Sequence, residues 1–463
     1  MIQGFETQRL FPFVTLIGNF DMRQPQIVSR AAATLSAAPS IAPISSIAQG
    51  VDTREESKIA FIVAWVLCLV FYFLQYALRS APGVMMPELT AAFGLTTLGI
   101  GSLVGLYYYT YASFAIVAGA TLDRYGAKLP IFIGVLTTAL GSVLFGLGSI
   151  GAAESGRLLQ GAGSAFAFTG AVYLAVHGFS ARWLATAIGF TQLAGMLGGF
   201  AGQFAVGPLV HGQLGWQSLW IYAGAALAIV ALLLLVATPT RRERESGSIW
   251  DMFLPYKIVL TNPQSYLCGF IGGLLFMPTT IGDMIWGVPF LGQGLGVPAA
   301  EAVARSSMVP LGWVIGAPLL GYLADRVGRR KPVLLAGIIL MLISGVGITY
   351  LSPFIPPYIG GLIFGIGSGA AMIPYTMIKE ANPDNVKGSA TGAMNFLVFS
   401  LSAFLAPVFG FALMHLSGGK TLTLENFQQA DTIWAAAILL SLVLTFFLRE
   451  TGTGATQMPV SAS

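Results

Sequence analysis

Long, predominantly apolar segments recur along most of this 463-residue chain, and short polar stretches separate them. A helix of roughly 18 residues or more is needed to cross the hydrocarbon core of a bilayer, and these segments reach that length. Their apolar residues are continuous and do not alternate, so the pattern predicts helices and not the strands of an outer-membrane barrel. We predict twelve spans, at residues 59–86, 97–120, 130–149, 157–178, 184–210, 217–237, 265–291, 302–323, 332–351, 355–378, 388–415 and 430–448.

The composition leads to the same fold class. Apolar residues make up 55% of the chain and charged residues 9%, whereas an average soluble domain carries about 25% charged residues. A soluble protein of this size could not bury so much apolar surface. The 57 glycines suit the close packing of membrane helices. We therefore predict an all-α polytopic membrane protein in the cell (inner or plasma) membrane, with the lipid bilayer as its surroundings.

Sequence patterns for catalysis or cofactor binding are missing. Cys68 and Cys268 lie in apolar spans and are predicted to be free, and the three histidines lack the close spacing of metal ligands. The sequence contains no GxxxxGK[ST] loop for nucleotide phosphates. We predict that the protein is not an enzyme and that it uses no cofactor, metal ion or nucleic-acid partner.

A polar segment at residues 238–262 divides the spans into two sets of six. Residues 1–57 are polar and rich in Ala, Ser, Pro and Gln, and we interpret them as a disordered cytoplasmic tail or an over-extended start. The predicted organisation is this tail at 1–57, a six-helix bundle at 58–237, a cytoplasmic linker loop at 238–262, a second six-helix bundle at 263–449 and a disordered tail at 450–463.

A motif of the form GxxxDRxGx[R/K] occurs twice, 202 residues apart. Each copy follows an apolar run and precedes another, so each is predicted to form a tight turn between two membrane helices. The glycines allow the turn, the aspartate can cap a helix or pair with arginine, and the basic residues stay in water. We predict that the two loops control conformational switching, through Gly119, Asp123, Arg124, Gly126 and Lys128 in the first copy and Gly321, Asp325, Arg326, Gly328 and Arg329 in the second.

The basic residues also predict the orientation of the chain. With both termini in the cytoplasm, 19 of the 23 lysines and arginines fall on the cytoplasmic side. The positive-inside rule favours this arrangement. Lys420 then lies in an outer loop, and Arg79, Arg157 and Arg305 lie in spans or at their ends.

Twelve spans in two halves, with the motif between spans two and three and again between spans eight and nine, resemble the major facilitator superfamily. The segment RLLQGAG from Arg157 opens span four and is similar to the family's RxxxGxG. The resemblance covers residues 59–448. It implies two pseudo-symmetric six-helix bundles that rock about a central cavity, in a monomer.

Within that family, span one is similar to the organophosphate and organic-anion branch. Tyr72, Tyr76 and Arg79 share one helical stripe. The resemblance implies that Arg79 binds the anionic group of the substrate. Span seven carries no Lys or Arg, so a pair of arginines around a phosphate is not expected. The alternative is that Arg79 is structural and reaches the outer surface.

Span seven instead carries Asp283, which the repeat offset places at nearly the same height as Arg79. Charged groups inside spans usually serve a function. Asp283 is a candidate for binding a substrate amine, for taking up a coupling proton, or for a charge pair with Arg79. Arg157 is a candidate for proton coupling or for ordering span four. Of the tyrosines in span two, either Tyr108 with Tyr111 or Tyr107 with Tyr111 is predicted to face the cavity.

These features predict a secondary active transporter of a small organic anion or zwitterionic metabolite, which works by proton coupling as a symporter or antiporter, or by exchange. A proton-coupled exporter of drugs or other hydrophobic compounds is the alternative within transport. A membrane sensor on a transporter scaffold is the alternative outside it.

Overall fold

The computed structural model describes residues 44–240, 249–383 and 386–454. Residues 44–55 belong to a first unit, of which the structure describes only helix, and Glu56–Ser463 form a second compact unit. The predicted tails at 1–57 and 450–463 fall partly outside the described residues, at 1–43 and 455–463. Throughout the described ranges the regular structure is helical, without strands.

Twelve helices correspond to the predicted spans, and we label them α1 to α12. The first half contains α1 (Ile44–Val84), α2 (Thr97–Tyr125), α3 (Lys128–Gly146), α4 (Ile150–Gly178), α5 (Ala181–Phe204) and α6 (Trp216–Ala237). The second half contains α7 (Pro263–Met277), α8 (Met308–Val327), α9 (Arg330–Tyr350), α10 (Pro357–Ser368), α11 (Lys387–Ser417) and α12 (Leu424–Phe447).

Eleven helices in the described part of the chain are long and apolar enough to cross a membrane, and α5 takes the place of the remaining predicted span. The predicted fold class, an all-α polytopic membrane protein, is confirmed. Short helices at Ile249–Phe253 and Leu254–Thr261 occupy the described part of the predicted linker. We call the Leu254–Thr261 segment the linker helix.

Span seven is not the continuous helix that its apolar run predicts. Helix α7 ends at Met277, a wider π-helical turn follows at Pro278–Asp283, and short helical turns continue to Gly294. Pro278 lacks an N–H group and its ring clashes with the preceding turn, so the regular hydrogen-bond ladder cannot pass it. The break changes the direction in which Asp283 points, which helical periodicity could not predict.

The duplication is visible in how the helices cross. Gly161 of α4 lies so close to α2 that an added Cβ would be 2.1 Å from the carbonyl oxygen of Tyr107. Gly365 of α10 lies equally close to α8, with the corresponding position 2.0 Å from the carbonyl oxygen of Val309. Only glycine allows such an approach of two backbones. The two halves therefore use the same contact at equivalent places.

The motif glycines end equivalent helices. Gly126 follows α2 with φ of 73°, and Gly328 follows α8 with φ of 72°. Other residues rarely adopt this left-handed region. We call the end of the molecule at which these two loops lie the motif end.

Gly365→Ala is expected to destabilise the protein, because the new methyl group meets backbone and can be accommodated only if α8 and α10 move apart. Overpacking of this kind costs about 1 to 3 kcal/mol, and it should lower the midpoint of thermal unfolding in detergent. Gly189→Ala in α5 is the matched control, since a Cβ there meets no atom within 4 Å. Equal midpoints for the two variants would contradict the role given to the glycine contact.

Candidate functional site

A cavity lies between the two bundles in the middle of the molecule, and we call it the central cavity. It has an empty volume of about 210 Å³. Helices from both halves contribute to its wall, which is mostly aromatic. Its lining residues are Tyr72, Tyr76, Tyr111, Phe168, Gln192, Phe276, Met372, Tyr375, Asn395 and Phe399.

Two polar pairs face this cavity, one from each half. The Tyr72 hydroxyl donates to Gln192 Oε1 at 3.4 Å, and the Tyr375 hydroxyl donates to Asn395 Oδ1 at 2.8 Å. In the described part of the chain, the amide nitrogens of Gln192 and Asn395 are buried without a hydrogen-bond partner. Buried polar atoms usually have partners. These two amides can therefore donate to a molecule in the cavity.

Arg79 of α1 lies directly behind the aromatic wall. Its side chain is 2% exposed, and its Cζ atom is 4.7 Å from the ring centroid of Phe399 and 4.9 Å from that of Tyr76. Both rings also line the central cavity. The rings of Tyr107, Tyr108 and Tyr111 complete the enclosure. Aromatic faces attract cations, which stabilises the buried guanidinium.

The hydrogen bonds of Arg79 are incomplete. Its Nε donates to the Tyr108 hydroxyl at 3.4 Å, while both terminal nitrogens are buried without a hydrogen-bond partner among the residues that the structure describes. The Tyr108 hydroxyl in turn donates to the carbonyl oxygen of Thr280 in the other half. A planar guanidinium presents its terminal N–H groups as a fork that fits a carboxylate or phosphate. Arg79 thus has the donors that an anion requires.

Asp283 lies away from this group. Its Oδ1 accepts from the Ser306 hydroxyl at 2.9 Å, and its Oδ2 accepts from Gln203 Nε2 at 3.3 Å. Among the described residues, the salt bridges of this protein do not include one between Asp283 and Arg79. The charge pair considered from the sequence is therefore not formed in this conformation. The π-helical turn that ends at Asp283 directs its side chain into the second half.

There Asp283 faces a second cavity, which we call the lateral pocket. Its empty volume is about 720 Å³, and Asp431, Trp434 and Phe427 also line it. None of the described residues lines both the lateral pocket and the central cavity. Asp283 therefore lies near the interface of the halves, but outside the central cavity that Arg79 borders.

Arg157 of α4 is buried within the first half. It donates to Gln160 Oε1 at 2.7 Å and to the carbonyl oxygen of Val104 at 3.1 Å, and its Cζ atom lies 5.0 Å from the ring centroid of Tyr107. These contacts tie α4 to α2. They suit the structural alternative considered for Arg157, because the side chain does not line the central cavity.

The halves are in contact at the end opposite the motif end. A Cβ on Gly83 of α1 would lie 2.2 Å from the carbonyl oxygen of Met284, and one on Gly101 of α2 would lie 2.5 Å from the ring of Trp286. The hydrogen bond from Gln203 to Asp283 joins α5 to the second half at this end. These contacts close the central cavity on this side.

The motif end is closed as well. The Tyr256 ring of the linker helix lies between Gly119 of α2 and Gly392 of α11, and its hydroxyl donates to the carbonyl oxygen of Ile116 at 3.1 Å. Burial and the nearby negative charge of Asp123 raise the pKa of the Tyr256 phenol well above its usual range, so it remains a donor. A Cβ on either glycine would meet this hydroxyl. We call this arrangement the tyrosine latch.

The other residues of the two motif loops make separate contacts. Near the start of α11, a Cβ on Gly388 would lie 3.4 Å from the Asp123 carboxylate oxygens. Arg124 packs over the Tyr125 ring, and Lys128 begins α3.

In the second copy Asp325 pairs with Arg330, which also pairs with Glu380 at the end of the helix Ile373–Glu380. Arg326 donates to Tyr322, and Arg329 pairs with Glu450. Gly321 has open space around it.

Sequence reasoning missed several residues of the site. Gln192, Tyr375 and Asn395 are polar residues inside apolar spans, and that signal was available to indicate cavity positions. Phe399 and Tyr256 carried no comparable signal. Aromatic residues are common in membrane helices and at their ends. Only the fold brings Phe399 to the rings around Arg79, and Tyr256 to Gly119.

Tyr256→Ala is expected to increase the fraction of molecules that are open at the motif end, because it removes both the ring and its hydrogen bond. The distance between spin labels at the exposed positions 129 and 327, one in each half, measures this opening. The labels are introduced into a protein in which Cys68 and Cys268 are replaced by alanine. A population with longer distances should grow. Tyr322→Ala is the control, since this exposed tyrosine bonds only within its own half. Unchanged distances in Tyr256→Ala would contradict the latch.

Comparison with known proteins agrees with this architecture. The bacterial homologue of the human lysosomal transporter Spinster, in an inward-facing and unoccupied conformation, matches with a TM-score of 0.68 at 15% identity, over 84% of this chain and 97% of that one. The membrane sensor protein UhpC of Escherichia coli is 26% identical over 80% of this chain and 89% of its own length. The cis,cis-muconate transport protein of Acinetobacter baylyi is 24% identical over 76% of this chain and 86% of its own length.

The family model of the Major Facilitator Superfamily matches residues 68–407 and, in a second match, residues 287–457. Relatives in this family are transporters and not enzymes, which confirms the prediction that the protein is not an enzyme. The resemblance drawn from the duplicated motif and the twelve spans is confirmed too. The chain belongs to the Major Facilitator Superfamily of membrane transporters.

Proposed function

We propose that this protein is a secondary active transporter of a small organic anion or zwitterionic metabolite, which binds in the central cavity with its anionic group on Arg79. In this proposal the protein works as a monomer in the cell membrane, with the motif end and both termini in the cytoplasm. The observation that carries the proposal is the pair of unpartnered terminal nitrogens on a fully buried arginine beside a polar cavity.

The energetics favour an anionic ligand over a purely structural role. A charge within a membrane span costs at least about 2.5 to 3.5 kcal/mol, so it is seldom retained without a partner or a function. The aromatic rings offset part of this cost by cation–π attraction. A carboxylate or phosphate would supply the two missing acceptors. Tyr76 and Phe399, which separate Arg79 from the cavity, must turn aside for that contact to form.

The polar pairs on the cavity wall suit the rest of such a substrate. Tyr72 with Gln192 and Tyr375 with Asn395 come from opposite halves, and the two free amide nitrogens are donors. A metabolite with hydroxyl or carbonyl oxygens would accept from both and bring the halves together. Contacts close the cavity at both ends in this structure, as expected for an intermediate of alternating access.

The relatives support the same substrate class. One of them is by name a transporter of cis,cis-muconate, a dicarboxylate, and the first half of this chain carries its buried arginine directly behind the wall of the central cavity. UhpC, in contrast, is by name a sensor. Among the described residues we find no feature that favours a sensor, and a cavity closed at both ends suits alternating access.

For coupling, we propose that Asp283 takes up the proton. The ionised carboxylate accepts hydrogen bonds from Ser306 and Gln203, and bonds to a charged acceptor are stronger than neutral ones. Protonation would weaken the bond from Gln203, which joins α5 to the second half. Proton uptake would then favour separation of the halves at the end opposite the motif end.

The proposal is tested with purified protein in liposomes. A thermal-shift screen of metabolite anions, amino acids and small peptides selects a ligand, and uptake of that ligand in labelled form is then measured with and without an imposed proton gradient. Accumulation without any partner protein is the expected result. Specific binding of the ligand without uptake or exchange would favour the sensor. Uptake limited to hydrophobic cations would favour the exporter.

Arg79→Lys is expected to weaken substrate binding although it keeps the charge, because an ammonium group cannot present a planar fork. A hydrogen bond to a charged group contributes about 1.5 to 3 kcal/mol, which corresponds to a loss of affinity of roughly 10- to 150-fold. Binding is measured by titration of the purified variant. The control is Arg157→Lys, whose side chain does not line the central cavity and which should retain the affinity. Unaltered binding in Arg79→Lys would make the residue structural.

Asp283→Asn is expected to abolish accumulation driven by a proton gradient and to leave exchange of substrate across the liposome membrane. The amide keeps the size of the side chain and still accepts a hydrogen bond, but it cannot take up a proton. Ser306→Ala is the control, because it removes one of the partners and leaves the carboxylate. Proton-driven accumulation that persists in Asp283→Asn would exclude this residue as the coupling site.

A further inference from the structure

The lateral pocket lies within the second half, between the turns that follow α7 and the helices α9 and α12, and it shares Asp283 with the transport mechanism proposed above. It is the larger of the two cavities, with an empty volume of about 720 Å³. Most of its wall is apolar and aromatic, with the rings of Trp286, Phe290, Phe364 and Phe427 among its lining residues. A mostly apolar wall with a few polar groups is typical of a small-molecule site.

Two acidic side chains line the pocket and can carry negative charge. Asp283 and Asp431 both line it, and its described lining residues include no lysine, arginine or histidine. Asp431 accepts from the Thr349 hydroxyl at 3.0 Å through Oδ2, and among the described residues the salt bridges do not include one to Asp431. Two acidic groups facing one low-polarity cavity would be stabilised by a cation placed between them.

An unpartnered donor lies in the same wall. Trp434 is 6% exposed, and its Nε1 is buried without a hydrogen-bond partner among the described residues. The indole nitrogen faces Gly282 in the π-helical turn after α7, where an added Cβ would be 3.1 Å away. Buried indole N–H groups usually find an acceptor. Among the described residues, the Trp434 indole therefore has no hydrogen-bond acceptor, and the two aspartates have no positively charged partner.

We propose that the lateral pocket is a binding site for an amphipathic organic cation. The amine pairs with Asp431 and Asp283, an ether or carbonyl oxygen accepts from Trp434, and the apolar body packs against Trp286 and Phe427. This inference is independent of the substrate proposed for the central cavity, since no described residue lines both cavities.

The test uses diphenhydramine, which carries a tertiary amine, an ether oxygen and two phenyl rings. Its matched control is diphenylmethoxyacetate, which has the same rings and ether but a carboxylate in place of the amine. Equilibrium dialysis of the purified full-length protein in detergent measures the binding of each compound. We expect saturable binding of the amine and no specific binding of the acid.

Variants locate the binding. Asp431→Asn keeps the size of the side chain and should weaken amine binding roughly 10-fold or more, the lower end of the effect of a bond to a charged group. Ala435→Phe, which fills the pocket from α12, should abolish it. Trp434→Phe keeps a ring but removes the donor and should weaken it. Tyr375→Phe in the central cavity is the control and should leave amine binding unchanged.

Equal amine binding by the wild-type protein, Asp431→Asn and Ala435→Phe would overturn the proposal, as would its loss in Tyr375→Phe. Should Asp431→Asn fail to fold, the other two pocket variants decide the question. Uptake of the anionic substrate is measured for Ala435→Phe in parallel. Retained uptake with lost amine binding supports two separate sites. Amine binding by a wild-type protein that transports no anion would leave the inference standing and the proposed function refuted.

Discussion

The site depends on one unfavourable arrangement, which is a guanidinium buried among aromatic rings without an anionic partner. The rings of Tyr76 and Phe399 stabilise the charge of Arg79, and Tyr108 links it through the carbonyl oxygen of Thr280 to the second half. The remaining donors are unsatisfied. A protein retains such a group where a ligand completes it, and the position of Arg79 behind the cavity wall makes an anion the natural complement.

The surrounding scaffold makes that arrangement rigid within each half and adjustable between them. Backbone contacts at Gly161 and Gly365 lock helices inside their own bundles. The contacts that close the cavity at its two ends are partly polar: Gln203 with Asp283 at one end, and the tyrosine latch at the other. Such contacts can be broken without unfolding either bundle. This division between firm and breakable contacts is the physical basis for alternating access.

Much of the fold could be predicted from the sequence, because a continuous apolar run of sufficient length has few alternatives in a membrane protein. The repeat and the position of Arg79 inside a span followed from the same reasoning, whereas its burial behind aromatic rings did not. The π-helical turn before Asp283 did not, since one proline in an apolar run does not reveal where the chain turns afterwards. That turn separates Asp283 from Arg79. The tyrosine latch could not be predicted from the sequence either, because Tyr256 lies in a polar segment that gives no sign of burial.

The binding of an anion by Arg79 is best tested by a structure of the protein with a transported carboxylate bound. We expect the carboxylate to lie within hydrogen-bonding distance of both terminal nitrogens of Arg79, with the rings of Tyr76 and Phe399 displaced from their present positions. A carboxylate bound elsewhere in the central cavity, with the enclosure of Arg79 unchanged, would contradict it.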